Sequence, residues 1–95
     1  MNYGKAINNL RVDRMKQTQT IFAKSIGITQ TYLSQIENGI KKPSTDLLDR
    51  ISIYVEIPMP LLFWYSITEE DIKKSKLEAY RMLKPAADAL IKSFF

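Results

Sequence analysis

The chain has 95 residues, 45% of them hydrophobic, and a net charge of +4, which suits one domain with a modest core. It contains neither cysteine nor histidine, so we expect no disulfide, no metal site, no cofactor and no enzymatic activity. No apolar run reaches the roughly 18 residues that span a bilayer, and the N-terminus lacks a secretory h-region. The sequence therefore predicts a cytoplasmic protein that does not enter a membrane.

The positive charge lies in the first half of the chain. Residues 1–50 contain eight Lys or Arg and four Asp or Glu, whereas residues 51–95 contain six of each kind. A basic excess confined to one part of a protein favours a polyanionic partner for that part.

Apolar residues at helical spacing, without strand-like alternation, predict an all-α fold. The predicted helices cover about 4–14, 19–26, 30–38, 45–55 and 59–65. Three of them follow a residue that can cap their first turn, namely Thr18, Thr29 and Ser44. Gly27 follows the second helix, where a left-handed residue commonly ends a helix.

A helical tail is predicted beyond the fifth helix. Thr68, with Asp71 three residues later, resembles a capping box and predicts that a sixth helix begins there. Pro85 interrupts the apolar pattern, which leaves open whether the tail forms two helices or one kinked helix.

The third predicted helix has an unusual surface. In SIGITQTYLSQIENG, residues 25–39, the apolar residues Ile28, Leu33 and Ile36 can anchor the helix to a core. The outward residues are amides and hydroxyls, which on many proteins form only a solvated surface. Amides can also pair bidentately with a base edge, as glutamine does with adenine, so the face suits reading a major groove. The candidate base-reading residues are Gln30, Thr31, Ser34 and Gln35.

Residues 5–63 resemble the Cro/C1-type, phage-repressor-like helix-turn-helix regulators, also called the XRE family. The resemblance rests on TQTIFA at 18–23, the stretch at 25–39, KKPS at 41–44 and LLDRIS at 47–52. It implies a lambda-repressor-like, five-helix domain over residues 1–66 that binds double-stranded DNA. Residues 67–95 would form a C-terminal helical extension.

The resemblance also implies roles for individual residues. Gln19 would contact a phosphate and brace Gln30, while Arg11 and Glu37 would form a structural ion pair. Tyr32 could instead pack on the helix, and Lys41 and Lys42 could instead belong to a solvated loop. The implied phosphate-binding residues are Thr18, Gln19, Tyr32, Asn38, Lys41 and Lys42.

Several features depart from the commoner members of that family, including Ile21, which stands where an acidic residue is often found at the third position of the second helix. The interval from Arg11 to Thr18 is one residue longer, which bears against the Arg11–Glu37 pair. Lys16 and Gln17 replace a glycine and an apolar residue, which predicts loss of the hydrophobic staple at the second helix. Glu56 stands where glycine is frequent.

Apolar residues in the second half exceed what the family domain needs for its core. Either the tail folds back over its own domain, or it crosses to a second subunit. We expect the second arrangement, because the resemblance implies a dimer on a two-fold operator. The predicted dimerisation residues are Ile53, Leu61, Trp64, Tyr65, Tyr80, Leu83, Leu90, Ile91 and Phe94.

The sequence thus predicts a homodimeric transcriptional repressor that reads a palindromic operator in double-stranded DNA. One alternative is an antitoxin whose C-terminal helices bind a partner toxin. Another is a protein-interaction module that retains the fold but has lost DNA binding.

Overall fold

The computed structural model describes residues 1–93, and every regular element in that range is helical. This confirms the predicted all-α fold. Two 3₁₀ turns, Glu69–Asp71 and Lys74–Lys76, lie between the fifth and sixth helices. The helices are α1 (Tyr3–Asn9), which continues into a π-helical turn (Leu10–Arg14), α2 (Gln19–Ile26), α3 (Gln30–Glu37), α4 (Thr45–Val55), α5 (Met59–Ser66) and α6 (Leu77–Lys92).

The three predicted caps begin α2, α3 and α4. The hydroxyls of Thr18, Thr29 and Ser44 each accept a hydrogen bond, at 3.1–3.3 Å, from the backbone N–H three residues later. Such a cap stabilises a helix by about 1 kcal/mol. The three caps therefore set the starts of the helices that position the candidate site.

A single core holds α1 to α5 together. On α3, Leu33 and Ile36 are fully buried, so this helix is fixed along one side and exposes the other. The core also includes Ile7, Leu10, Phe22, Ala23, Ile26, Leu47, Leu48, Ile51, Val55, Ile57 and Leu62. Burying an aliphatic or aromatic side chain of this size contributes about 1.5–3 kcal/mol.

A π-helical turn follows α1, in the interval that the family resemblance indicates to be one residue longer. The backbone N–H of Met15 donates to the carbonyl of Leu10 at 3.0 Å, five residues back instead of four. A π turn widens a helix by one residue, so the chain absorbs the extra length locally. Lys16 then takes a φ of 52°, at a position where the family resemblance implies glycine, and Glu56 takes 59° after α4.

Gln17 makes a polar contact at the entry to α2, where the sequence predicts loss of the hydrophobic staple. Its amide Nε2 donates to the Tyr54 hydroxyl at 2.7 Å, and the Tyr54 ring meets Phe22 edge-on at 5.7 Å between centroids. A hydrogen bond thus links the entry to α2 with α4, in place of an apolar staple.

The capping box in the tail forms, but it does not begin a sixth helix. The Thr68 backbone N–H donates to Asp71 Oδ2 at 2.9 Å, closing the short 3₁₀ turn. Extended backbone at Ile72 and Lys73 then ends that turn, and α6 begins at Leu77. The prediction of the start was therefore wrong. Pro85 lies inside α6, which is one continuous helix.

One side of α6 packs against α5 of the same chain. The ring of Trp64 lies 5.6 Å from that of Tyr80, and the indole Nε1–H donates to Asp88 Oδ1 at 3.3 Å. Tyr80 and Ile91 are buried. This is the arrangement of a tail that folds back over its own domain.

The predicted dimerisation residues consequently fall into two sets. Leu61 and Tyr65 pack against the core of their own domain, and Trp64, Tyr80 and Ile91 are covered at least partly by their own chain. Phe94 lies outside the described residues. The exposed members are Ile53, Leu83 and Leu90.

Candidate nucleic-acid interface

A tight turn joins α2 to α3. Gly27 adopts a φ of 77°, which a side chain would strain, and the N–H of Ile28 donates to the Ala23 carbonyl at 3.0 Å. Arg50, on α4, donates through Nη1 to the Ile26 carbonyl at 2.9 Å and so satisfies the end of α2. The two helices are thereby held as a helix-turn-helix unit.

The predicted base-reading residues share one surface of α3. Gln30 and Thr31 are exposed in its first turn, and Ser34 and Gln35 are half-buried one turn later. Thr29 caps the N-terminus of α3 outside the core. The first backbone N–H groups of α3 therefore lie at the same end of the helix as Gln30 and Thr31. The surface offers donors and acceptors without a charged side chain.

The predicted phosphate-binding residues lie at both ends of α3 and at the start of α2. Asn38, Lys41 and Lys42 are exposed after α3, and neither lysine has an ion-pair partner among residues 1–93. Tyr32 is half-buried against the core. Thr18 uses its hydroxyl oxygen as the α2 cap.

The two glutamines at the starts of α2 and α3 are hydrogen-bonded to each other. Gln30 Nε2 donates to Gln19 Oε1 at 2.7 Å, and Gln19 Nε2 donates to Glu37 Oε1 at 3.2 Å. Gln19 therefore joins the first residue of α3 to its last.

Glu37 also forms the ion pair that the resemblance implied. Arg11 donates from Nε to Oε2 at 2.8 Å and from Nη2 to Oε1 at 3.0 Å, and Asn8 Nδ2 donates to Oε1 at 2.7 Å. The side chains of Arg11 and Glu37 are only 12% and 3% exposed. Asn8 was not singled out from the sequence, although it lies almost one helical turn before Arg11.

These contacts keep Glu37 ionised. Burial alone would raise its pKa, but the hydrogen bonds from Arg11, Asn8 and Gln19 outweigh burial, and the pKa lies below the ordinary 4.5. Because the folded-state pKa is lowered, the carboxylate stabilises the fold above about pH 4.5, and this contribution is lost as the pH falls through the lowered pKa.

No helix within residues 1–93 is long and apolar enough to cross a membrane. No group of three or more Asp or Glu side chains there is placed to hold a metal ion.

The geometry defines a helix-turn-helix protein of the kind that binds double-stranded DNA. A family model described as Helix-turn-helix matches residues 9–62, more than half of the chain. The chain belongs to this family as a Cro/C1-type DNA-binding transcriptional regulator, and such regulators are typically not enzymes.

Two curated proteins are similar to this chain. It is 42% identical over 62 residues to the ImmF control region 10 kDa protein of Bacillus phage phi105, an alignment that covers 62% of this chain and 69% of that protein. It is 33% identical over 63 residues to Control protein C.MunI of Mycoplasma sp, covering 66% and 85% respectively. No solved structure matches the chain.

Proposed function

We propose that this protein is a homodimeric repressor in which residues 1–66 read a palindromic operator and residues 67–95 form the dimerisation extension. The observation that carries the proposal is the uncharged amide and hydroxyl surface of α3, on a helix anchored along its opposite side by Leu33 and Ile36. A lysine-rich surface would bind phosphate with little regard to sequence, whereas amides distinguish bases by their donor and acceptor patterns.

The proposed docking places α3 in the major groove. Gln30, Thr31, Ser34 and Gln35 then face base edges, and Lys41 and Lys42 lie beside the backbone after α3. Thr18, Gln19, Tyr32 and Asn38 are the further phosphate-binding candidates.

Dimerisation through α6 is supported by an apolar stripe that its own chain leaves exposed. The stripe consists of Ala79, Leu83, Ala86 and Leu90, at spacings of four, three and four residues, and Leu83 and Leu90 are 57% and 60% exposed. This is the spacing of a coiled-coil seam, and the flanking positions 80, 82, 87 and 89 carry no charge. A second copy of α6 can therefore pack there without burying an ionised group.

A regulatory role is supported by what the two relatives are called, a control-region protein of a phage and a control protein. A dimer bound to an operator would exclude polymerase from the DNA that it covers. Selection of bound sequences from random duplexes tests the proposal: enrichment of an imperfect palindrome is expected. Failure to enrich any sequence, without salt-sensitive DNA affinity, would favour a protein-interaction module instead.

Replacing Gln30 by alanine should weaken binding to the selected operator by about 1–3 kcal/mol, because one bidentate base contact is lost. Affinity for random duplex should change little, since phosphate contacts remain. Both affinities can be measured by fluorescence anisotropy at one salt concentration. An equal loss on the two duplexes would show that Gln30 contacts only the backbone.

Replacing Lys41 or Lys42 by alanine should weaken binding to all sequences alike. Each change should also reduce the slope of log K against log salt by about 1, because one fewer counterion is released. Lys74→Ala, on the exposed 3₁₀ turn of the tail, is the matched control and should leave the slope unchanged. An unchanged slope in the Lys41 and Lys42 variants would assign both residues to a solvated loop.

The exposed α6 stripe also favours a second candidate, an antitoxin whose tail binds a toxin and which regulates its own synthesis through DNA. An amphipathic helix can place such a stripe in the groove of a different protein. Sedimentation of the chain alone distinguishes the two: a dimer supports the first proposal, and a monomer favours the second.

A further inference from the structure

Glu37 is connected to Gln30 although the two residues occupy opposite ends of α3. The connection runs through Gln19, which donates to Glu37 at 3.2 Å and accepts from Gln30 at 2.7 Å. Neither Arg11 nor Asn8, the other hydrogen-bond partners of Glu37, is hydrogen-bonded to Gln30.

The direction of these hydrogen bonds follows from the chemistry of the carboxylate. An ionised carboxylate only accepts, so Gln19 must turn its NH₂ group towards Glu37. The Oε1 atom of Gln19 then faces Gln30, and because it also only accepts, Gln30 must supply an N–H. One charged group thereby determines the orientation of two amides.

Gln30 retains a defined pair of groups for a base. One of its N–H groups is used by Gln19, which leaves Oε1 and the second N–H. That pair complements adenine, which presents an N6–H donor beside the N7 acceptor. Guanine presents two acceptors, O6 and N7, and would place O6 against the amide oxygen. With the hydrogen bonds reversed, Gln30 would direct both N–H groups away from Gln19 and tolerate guanine.

We infer that Glu37 is a positioning residue for base specificity, which orients Gln30 through Gln19 so that this protein prefers adenine to guanine at one base pair of each half-site. The inference rests on the proposed function, in which Gln30 reads a base. Glu37 is itself fixed by Arg11 and Asn8 and is almost fully buried, so the orientation exists before DNA binds.

The Glu37→Gln variant tests this inference, because a glutamine at this position can donate as well as accept. Gln19 can then reverse, and Gln30 with it. The base pair to change is the one at which Gln30→Ala loses discrimination. The measurement is a ratio of two affinities: that for the selected operator, divided by that for the same duplex with A·T changed to G·C at this pair. We expect this ratio to fall about tenfold in Glu37→Gln. Ratios at other base pairs should remain unchanged.

Two further variants separate this effect from a loss of folding. Arg11→Met combined with Glu37→Gln removes the buried cation together with its partner, so that no unpaired charge remains, and should show the same reduced ratio. Asn8→Ala is the matched control, since it removes another donor to the same carboxylate and leaves the amide orientation unchanged. Its ratio should equal that of the unmodified protein. Circular dichroism gives the folded fraction of each variant.

The outcomes distinguish this inference from the proposed function. If Gln30→Ala loses discrimination but the folded Glu37 variants keep it, Glu37 does not position Gln30, and base reading by Gln30 stands. If Gln30→Ala changes no ratio, base reading by Gln30 fails, and the inference fails with it. In a Gln19→Ala background, Glu37→Gln should cause no additional loss; an additional loss would assign Glu37 a structural role only.

Discussion

Replacing Gly4 by alanine is expected to destabilise the fold by about 1–3 kcal/mol or more, as in other overpacked sites. A Cβ atom at this position of α1 would lie 2.3 Å from the carbonyl oxygen of Ile36 and 2.9 Å from that of Glu37. Both atoms are backbone, so the clash is relieved only if α1 moves away from the end of α3. Alanine favours a helix interior over glycine by about 1 kcal/mol, which is too little to offset this contact.

Thermal unfolding followed by circular dichroism measures this effect, and each kcal/mol corresponds to about 4–8 °C in a domain of this size. Lys5→Ala is the control, because it changes an exposed neighbour on the same helix. Equal melting temperatures for Gly4→Ala and the unmodified protein would show that α1 and α3 are not in this close contact.

Changing Leu83 and Leu90 together to lysine is expected to abolish dimerisation and to reduce operator affinity by about 10²–10⁴-fold. The reduction is expected because two linked DNA-binding domains bind a full operator with an affinity higher by this factor than one domain binds a half-site. Both side chains are exposed in the single chain, so the fold itself should change little in stability. Sedimentation at micromolar concentration gives the assembly state, and binding to full and half operators gives the two affinities.

The matched control is Glu70→Gln with Ser75→Lys, which adds the same net charge at exposed positions before α6 and outside the stripe. This control should remain dimeric, and the half-operator affinity should be similar in both double variants. A dimer that persists with lysine at both leucine positions would place the interface elsewhere, with exposed Ile53 as the next candidate.

Local signals in the sequence predicted the helix-turn-helix unit well. The starts of α2, α3 and α4 depend on hydroxyl caps that act within three residues, and the turn depends on one glycine at positive φ. Such features are determined by neighbours in the sequence and need no knowledge of the rest of the fold.

Features that depend on distant partners were predicted less well. The capping box of Thr68 and Asp71 forms as expected, yet extended backbone at Ile72 and Lys73 stops the turn, and the box cannot indicate how far its helix continues. Asn8 contacts Glu37 across 29 residues of sequence, and no local pattern distinguishes it from other surface asparagines. The packing of Trp64 on Tyr80 likewise depends on which of two faces of α6 turns towards α5, and this is determined by tertiary contacts.

Because of the π-helical turn at Leu10–Arg14, the number of residues before α2 can differ while Arg11 keeps its position. An added residue there changes the local helix diameter, while Arg11 still reaches Glu37 at 2.8 Å and the entry to α2 is still capped by Thr18. A single residue inserted or removed at this point would therefore be absorbed as a change between a π turn and an α turn, without a compensating change in α3.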